Sequence, residues 1–355
     1  MKRRQFLIWS SFGAALGVTE LARSRHTTPL ASSPQVIAVG PTGLFAPIRG
    51  DVRIAVISDL NSQYGSTEYE PEVHQAIKLI PAWQPDLVLC SGDMVAGQSL
   101  RLSDAQIQAM WAGFDQAIGA PLRRAKLPLG FTLGNHDGSG VIGVNGQHTF
   151  ERDRLAAKTY WSDPNHTPQL NFVDRAQYPF FYTFAQKDIF YLVWDASTAV
   201  ISAQQLSWVE KSLASSVAQQ ARLRIVIGHL PLYPVAVGRD KPGEYLAQAE
   251  KLRLLLEKYR VHTYISGHDH AYFPGHRGHL QLLQTGALGS GPRRWLNSNL
   301  TPRKTLTVVD VVLKDATTRY TTYDMATQQV FDYRILPRTI SAPNGLVLRQ
   351  DITSG

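Results

Sequence analysis

The chain of 355 residues has a single cysteine, Cys90. No internal disulfide can form, so the fold must stand on its own core even in an oxidising compartment. Cys90 closes an apolar run, where a thiol serves as a small hydrophobe. Long apolar runs are missing too. No segment reaches the roughly 18 to 20 uninterrupted apolar residues of a typical membrane span. Charged residues are only 18% of the chain, and no basic, aromatic-interleaved stripe is present, so no nucleic acid is expected as a partner. There is no repeat and no P-loop. The stretch Gly286-Ala287-Leu288-Gly289-Ser290-Gly291 lacks the Gly-x-x-x-x-Gly-Lys-Ser/Thr spacing, which excludes a nucleotide triphosphate cradle of that kind. What is abundant is apolar surface: 44% hydrophobic residues suffice for one large domain or two modest ones.

The first residues read as an address, not as fold. Lys2-Arg3-Arg4-Gln5-Phe6-Leu7 is a basic head, followed by a modestly apolar stretch to Val18. Its Arg-Arg-x-Phe-Leu wording resembles a twin-arginine signal. It implies the twin-arginine export machinery as a partner and a periplasmic or extracytoplasmic location. Residues 1–31 are taken as signal peptide and the start of a linker, 32–50 as linker and entry arm, 51–335 as one domain and 336–355 as a C-terminal tail. Residues 1–25 hold five basic residues and one acid, so removing them takes the net charge from +8 to +4. That mild excess favours anionic substrates in general.

From Val52 the pattern is strand, helix, strand, helix, strand. Val52 to Ile57, Asp86 to Cys90 and Leu129 to Leu133 are apolar runs. The intervening helices begin near Glu72 and at the Ser103/Gln106 capping pattern. Residues 138–180 are polar and lack a clean period, which marks an insertion beside a site loop. A hairpin at 180–194, a helix capped by Ser202, a strand at 224–227, a helix from about 244 to 259 and a short strand at 261–265 follow. Strand-like segments then dominate to residue 323. The reading is α/β, with apolar strands covered by helices and a second sheet packed on the first.

Chemistry-bearing residues collect where strands end: Asp59 and Asn61, Asp93, Asn135 and His136, His229, then His268 and His270. Singly, each has a plain structural role: Asp59 and Asp93 as helix caps, Asn135 in a turn, His229 in the core. Together they are a set of oxygen and imidazole donors suited to divalent cations. Arg293 and Arg294 follow the glycine-rich turn, where guanidinium groups suit phosphate.

The motifs Asp59-Leu60-Asn61, Gly92-Asp93, Gly134-Asn135-His136-Asp137, Gly228-His229 and Gly267-His268-Asp269-His270 closely resemble those of the calcineurin-like metallophosphoesterases, over roughly residues 52–325. The resemblance implies a four-layer α/β/β/α sandwich of two mixed sheets. It implies two divalent metal ions (Mn, Fe, Zn or similar) bridged by Asp93. Asp59, Asn61 and His270 would complete one metal, and Asn135, His229 and His268 the other. It further implies hydrolysis of a phosphomonoester or phosphodiester by a hydroxide bridging the two ions. His136 would serve the leaving oxygen and Asp137 would orient His136. The departure is Asn61, where the family usually has histidine. An amide oxygen is a weaker, harder donor, which would weaken the first metal or shift it towards Mn, Mg or Ca. The alternative is a catalytically weak or inactive exported relative that binds phosphate or a partner.

Overall fold

A computed structural model of the chain describes residues 38–289 and 291–353. The signal-peptide reading lies outside the described residues, as does the first part of the linker.

Fifteen strands carry the described fold. The first three are β1 (Val52–Ile57), β2 (Leu87–Cys90) and β3 (Leu129–Phe131). Then come β4 (Phe172–Gln177), β5 (Phe181–Gln186), β6 (Ile189–Val193), β7 (Leu223–Ile227) and β8 (Thr263–Ser266). The remainder are β9 (Phe273–Arg277), β10 (Leu280–Gln284), β11 (Thr305–Val312), β12 (Thr317–Asp324), β13 (Gln329–Val330), β14 (Thr339–Ala342) and β15 (Gly345–Arg349). They form a six-stranded sheet, β13-β12-β11-β1-β2-β3, and a nine-stranded sheet, β14-β15-β9-β10-β8-β7-β6-β5-β4. Both are mixed: β1, β2 and β3 run parallel, as do β6, β7, β8 and β10, while the flanking strands are antiparallel.

Period-two alternation decides the layers. Along β1, Val52, Ile54 and Val56 join a core shared with Tyr182, Ile225 and Leu282 of the second sheet. Ala55 and Ile57 face the other way, into a cluster with Val73, Ile77, Ile107 and Phe114 of the helices Pro71–Leu79 and Asp104–Phe114. The helices Ala203–Leu213 and Ala249–Lys258 bury Val209, Leu213, Leu252 and Leu256 on the second sheet. The four-layer sandwich expected from the sequence is therefore present. Both capping patterns are made: Ser103 Oγ accepts from Gln106 N at 3.3 Å and Ser202 Oγ from Gln205 N at 3.2 Å.

Three sequence expectations need correction. Residues 336–355 are not a tail, because β14 and β15 pair with each other and β15 extends the second sheet beside β9. Residues 38–50 are not a free linker. Val39 and Pro47 offer their carbonyls to the buried Arg53 guanidinium at 2.7 and 2.9 Å, and Phe45 accepts from Tyr323 Oη. The insertion 138–180 is partly regular, with a helix at Glu151–Ser162 and the edge strand β4. Its helix buries the charged Asp153 and Arg154 beside Ala157, Tyr160 and Trp161 and exposes Leu155, which obscured its period.

Candidate metal centre

The C-terminal ends of β1, β2, β3, β7 and β8 meet at one edge of the sandwich. Crevices beyond such strand ends are where α/β sheets bind ligands. A cavity of about 680 Å³ opens there, lined among others by Asn61, Asn135, His136, His268, His270 and Arg293. Asp59, Asp93 and His229 lie beneath it, fully buried.

The backbone is bent to bring these groups together. Asp59, Asp93, His268 and His270 all take positive φ, between 50° and 66°. Each such residue costs on the order of 1–3 kcal/mol, and strain of this kind collects at functional sites. Glycines make the close approaches possible. A Cβ on Gly134 would lie 2.1 Å from Asp93 Oδ1, and one on Gly267 would lie 2.3 Å from Ser58 Oγ. The loops are laced: Leu60 and Asn61 donate their N–H groups to the Asp93 carbonyl at 2.8 and 3.1 Å, and His136 donates its own to Asp93 Oδ1 at 2.9 Å.

Every imidazole is anchored from outside. His229 Nδ1–H donates to the Ser91 carbonyl at 2.8 Å, His270 Nδ1–H to Gly291 at 3.0 Å, and His136 Nδ1–H to Gly97 at 3.1 Å. His268 donates its Nε2–H to Glu244 Oε2 at 2.9 Å. Asn135 likewise spends its amide N–H on Gln98 Oε1 at 2.7 Å, turning its oxygen inward. Fixing the far nitrogen leaves the other as a bare donor, an arrangement typical of metal-ligating histidine.

The inward atoms fall into two sets. Asp59, Asp93 and His270 offer ligand atoms within 4.8 Å of one another, and His270 Nε2 lies 3.1 Å from Asp59 Oδ1. The buried Asn61 Oδ1 has no hydrogen-bond partner. In the second set, Asn135 Oδ1 lies 3.0 Å from both His229 Nε2 and His268 Nδ1, and the two histidines are 3.3 Å apart. Asp93 Oδ2 is 3.3 Å from His229 Nε2 and is otherwise buried without a hydrogen-bond partner. So many acceptors in contact call for positive charge. The protonation behaviour of the site says the same. Burial opposes the charge of Asp59 and of Asp93. His270 outweighs it at Asp59, and His229 and His136 outweigh it at Asp93, so both carboxyls stay below the ordinary range. Burial pulls His229 down, but Asp93 lifts it to about 9. Burial takes His268 down to about 3, against the pull of Glu244 and Asp93. An acceptor cluster that attracts a proton attracts a divalent cation more strongly. Oxygen and imidazole donors of this kind fit one.

Residues 52–272, more than half of the chain, match the family model described as calcineurin-like phosphoesterase. The chain belongs to that family. No curated protein matches the sequence. Among solved structures, the purple acid phosphatase PPD1 from yellow lupin (Lupinus luteus) is similar with a TM-score of 0.56 and 18% identity. The match covers 81% of this chain and 55% of the lupin protein, so this chain spans little more than half of that relative. GAP50, the anchor in the inner membrane complex of Plasmodium, is similar with a TM-score of 0.51 and 15% identity, over 79% of this chain and 87% of that one. At these identities the likeness is one of fold.

Within this calcineurin-like fold, Asp59, Asn61, Asp93, Asn135, His136, His229, His268, His270 and Arg293 converge. Arg294 does not, since its side chain is exposed and only its carbonyl is used, by Val237 N. Asp137 makes no hydrogen bond to the His136 ring, whose Nδ1 is held by the Gly97 carbonyl instead. Its two oxygens accept from Val95 N and Gly134 N, both at 2.8 Å, so it ties the β2 and β3 loops together. Burial and then Asp93 raise its carboxyl to about 7. The sequence reading missed Glu244, Gln98, Arg239 and Tyr64. None lies in a motif. Tyr64 packs its ring against His136 at a tilt of 48°, with centroids 5.2 Å apart. Glu244 precedes a helix that was expected to include it. Gln248, at φ 55°, delays that helix to Ala249 and leaves Glu244 on the cavity wall.

Proposed function

We propose that this phosphoesterase-family chain hydrolyses phosphomonoesters or phosphodiesters with the help of two divalent cations. The observation that carries the proposal is Asp93 Oδ2, a buried oxygen without a hydrogen-bond partner that lies between two donor sets. Asp59, Asn61, Asp93 and His270 would hold one cation, and Asp93, Asn135, His229 and His268 the other. When bound, such a pair neutralises phosphate charge and lowers the pKa of water towards neutrality. The chain's own groups do the rest. The Arg293 guanidinium lines the cavity with its buried Nε unspent, and it can neutralise an arriving phosphoryl group. His136 has its Nδ1–H tied to Gly97, so any proton it gives to a leaving oxygen moves at Nε2, 4.0 Å from Asp93 Oδ2. Tyr64 covers one side of that ring.

The test is hydrolysis of aryl phosphomonoester and phosphodiester substrates with added Mn, beside Asp93→Asn. We expect turnover that depends on metal and falls by at least about a thousandfold in the variant. Folded, metal-loaded protein that turns over neither ester would favour the second reading, a phosphate- or partner-binding protein, for which Asn61 is the specific observation. Export through the twin-arginine machinery is proposed on Arg3 and Arg4. Lysine at both positions should retain the precursor in the cytoplasm, and unchanged export would overturn it.

A further inference from the structure

Glu244 stands outside every motif, yet it is bonded to one. Its Oε2 accepts from His268 Nε2 at 2.9 Å. Arg239 grips the same corner twice: Nη1 pairs with Glu244 Oε2, and Nε donates to the His268 carbonyl at 2.9 Å. Carboxylate and ring are thus held from one side by a single guanidinium.

A neutral imidazole carries one N–H, and acceptors at both ring nitrogens compete for that of His268. Asn135 Oδ1 lies 3.0 Å from Nδ1, and the Glu244 carboxylate lies 2.9 Å from Nε2. A hydrogen bond to a charged acceptor is roughly twice as strong as one to a neutral acceptor. The proton therefore sits on Nε2, and the Nδ1 lone pair faces His229 Nε2 and Asn135 Oδ1. A carboxylate behind a ligating imidazole also makes it a stronger donor. The other donor set is filled out by an amide oxygen, Asn61 Oδ1, which is a weaker donor than imidazole.

We infer that Glu244, steered by Arg239, is a positioning residue that fixes the His268 tautomer and makes the position framed by Asp93, Asn135, His229 and His268 the tighter of two unequal cation positions. This rests on the two-cation reading above, and the experiment separates them. Calorimetric titration of Mn into the purified, chelator-stripped chain should resolve a tight and a weak class. Glu244→Gln, verified as folded by circular dichroism, should weaken the tight class by about 10- to 100-fold and leave the weak class within about twofold. Asn61→His should act on the weak class instead. Nitrogen-15 spectra of the histidine side chains, recorded without metal, should show His268 as the Nε2–H tautomer in the wild type and as a mixture in Glu244→Gln. A wild-type His268 protonated at Nδ1, or a tight class unmoved in the folded variant, would overturn the inference. If wild-type protein binds no Mn at all, the two-cation function fails, and the tautomer spectra alone decide the role of Glu244.

Discussion

At position 61 an amide oxygen stands where the family's pattern calls for imidazole. It is buried, and no hydrogen bond spends it. If it coordinates, Asn61→His should raise Mn affinity and keep or raise turnover, and metal content measured by emission spectrometry would show it. The glycine at 134 sets a harder limit. Gly134→Ala places a methyl group against the Asp93 carboxylate, at a distance no flexible side chain can relieve. We expect that variant to lose metal and more than about 99% of activity, a loss of at least about 2.7 kcal/mol of transition-state stabilisation. These residues were legible from sequence because each sits in a short motif directly after an apolar run. Glu244 and Gln98 were not. Each reaches its partner from a separate loop, 24 and 37 residues away, and nothing in local spacing encodes such a contact. Arg294 shows the converse, since the register that presents Arg293 to the cavity sends its neighbour to solvent.

At the scale of elements, parallel strands joined by helices were readable because apolar period and capping residues agree over β1 to β3. The last hairpin was not, although Pro343-Asn344-Gly345 is a turn signal. Its strands are short and half exposed, so their alternation is faint. Yet Ile340 and Val347 are fully buried. Truncating the chain after Leu336 removes both, at a cost of about 3–6 kcal/mol in apolar burial. Urea unfolding of the truncated chain should show that loss in its midpoint. Strand β4 failed for a similar reason: an edge strand in which only Phe172 and Asp174 are partly buried, with irregular register, carries little period to read.

For the molecule as a whole, the class of fold was accessible from strand and helix alternation, whereas the order of the nine-stranded sheet was not, because it is set by long-range pairing. Two bulk measurements probe the assembled protein. Cations bound only by the folded state stabilise it, by about 2.7 kcal/mol at a hundred times their dissociation constant, so a chelator should lower the melting temperature and Mn restore it. Acid should act through Glu250. Its hydrogen bond to Arg253, helped by Tyr233 and Arg277 against the effect of burial, lowers its carboxyl from 4.5 to about 2. A folded-state value below the unfolded one favours the fold above pH 4.5. That contribution is lost as pH falls towards 2, so Glu250→Gln should shift the urea midpoint at pH 6 and no longer at pH 2. The placement of the site has a mechanical meaning as well. Its first donors hang from the six-stranded sheet and its last from the nine-stranded one, so cations bound there would rivet the two slabs at one edge of the core they share. Slippage between the slabs would be read first as loss of the rivets, before either slab frays. Metal content in weakened variants should then fall ahead of circular dichroism.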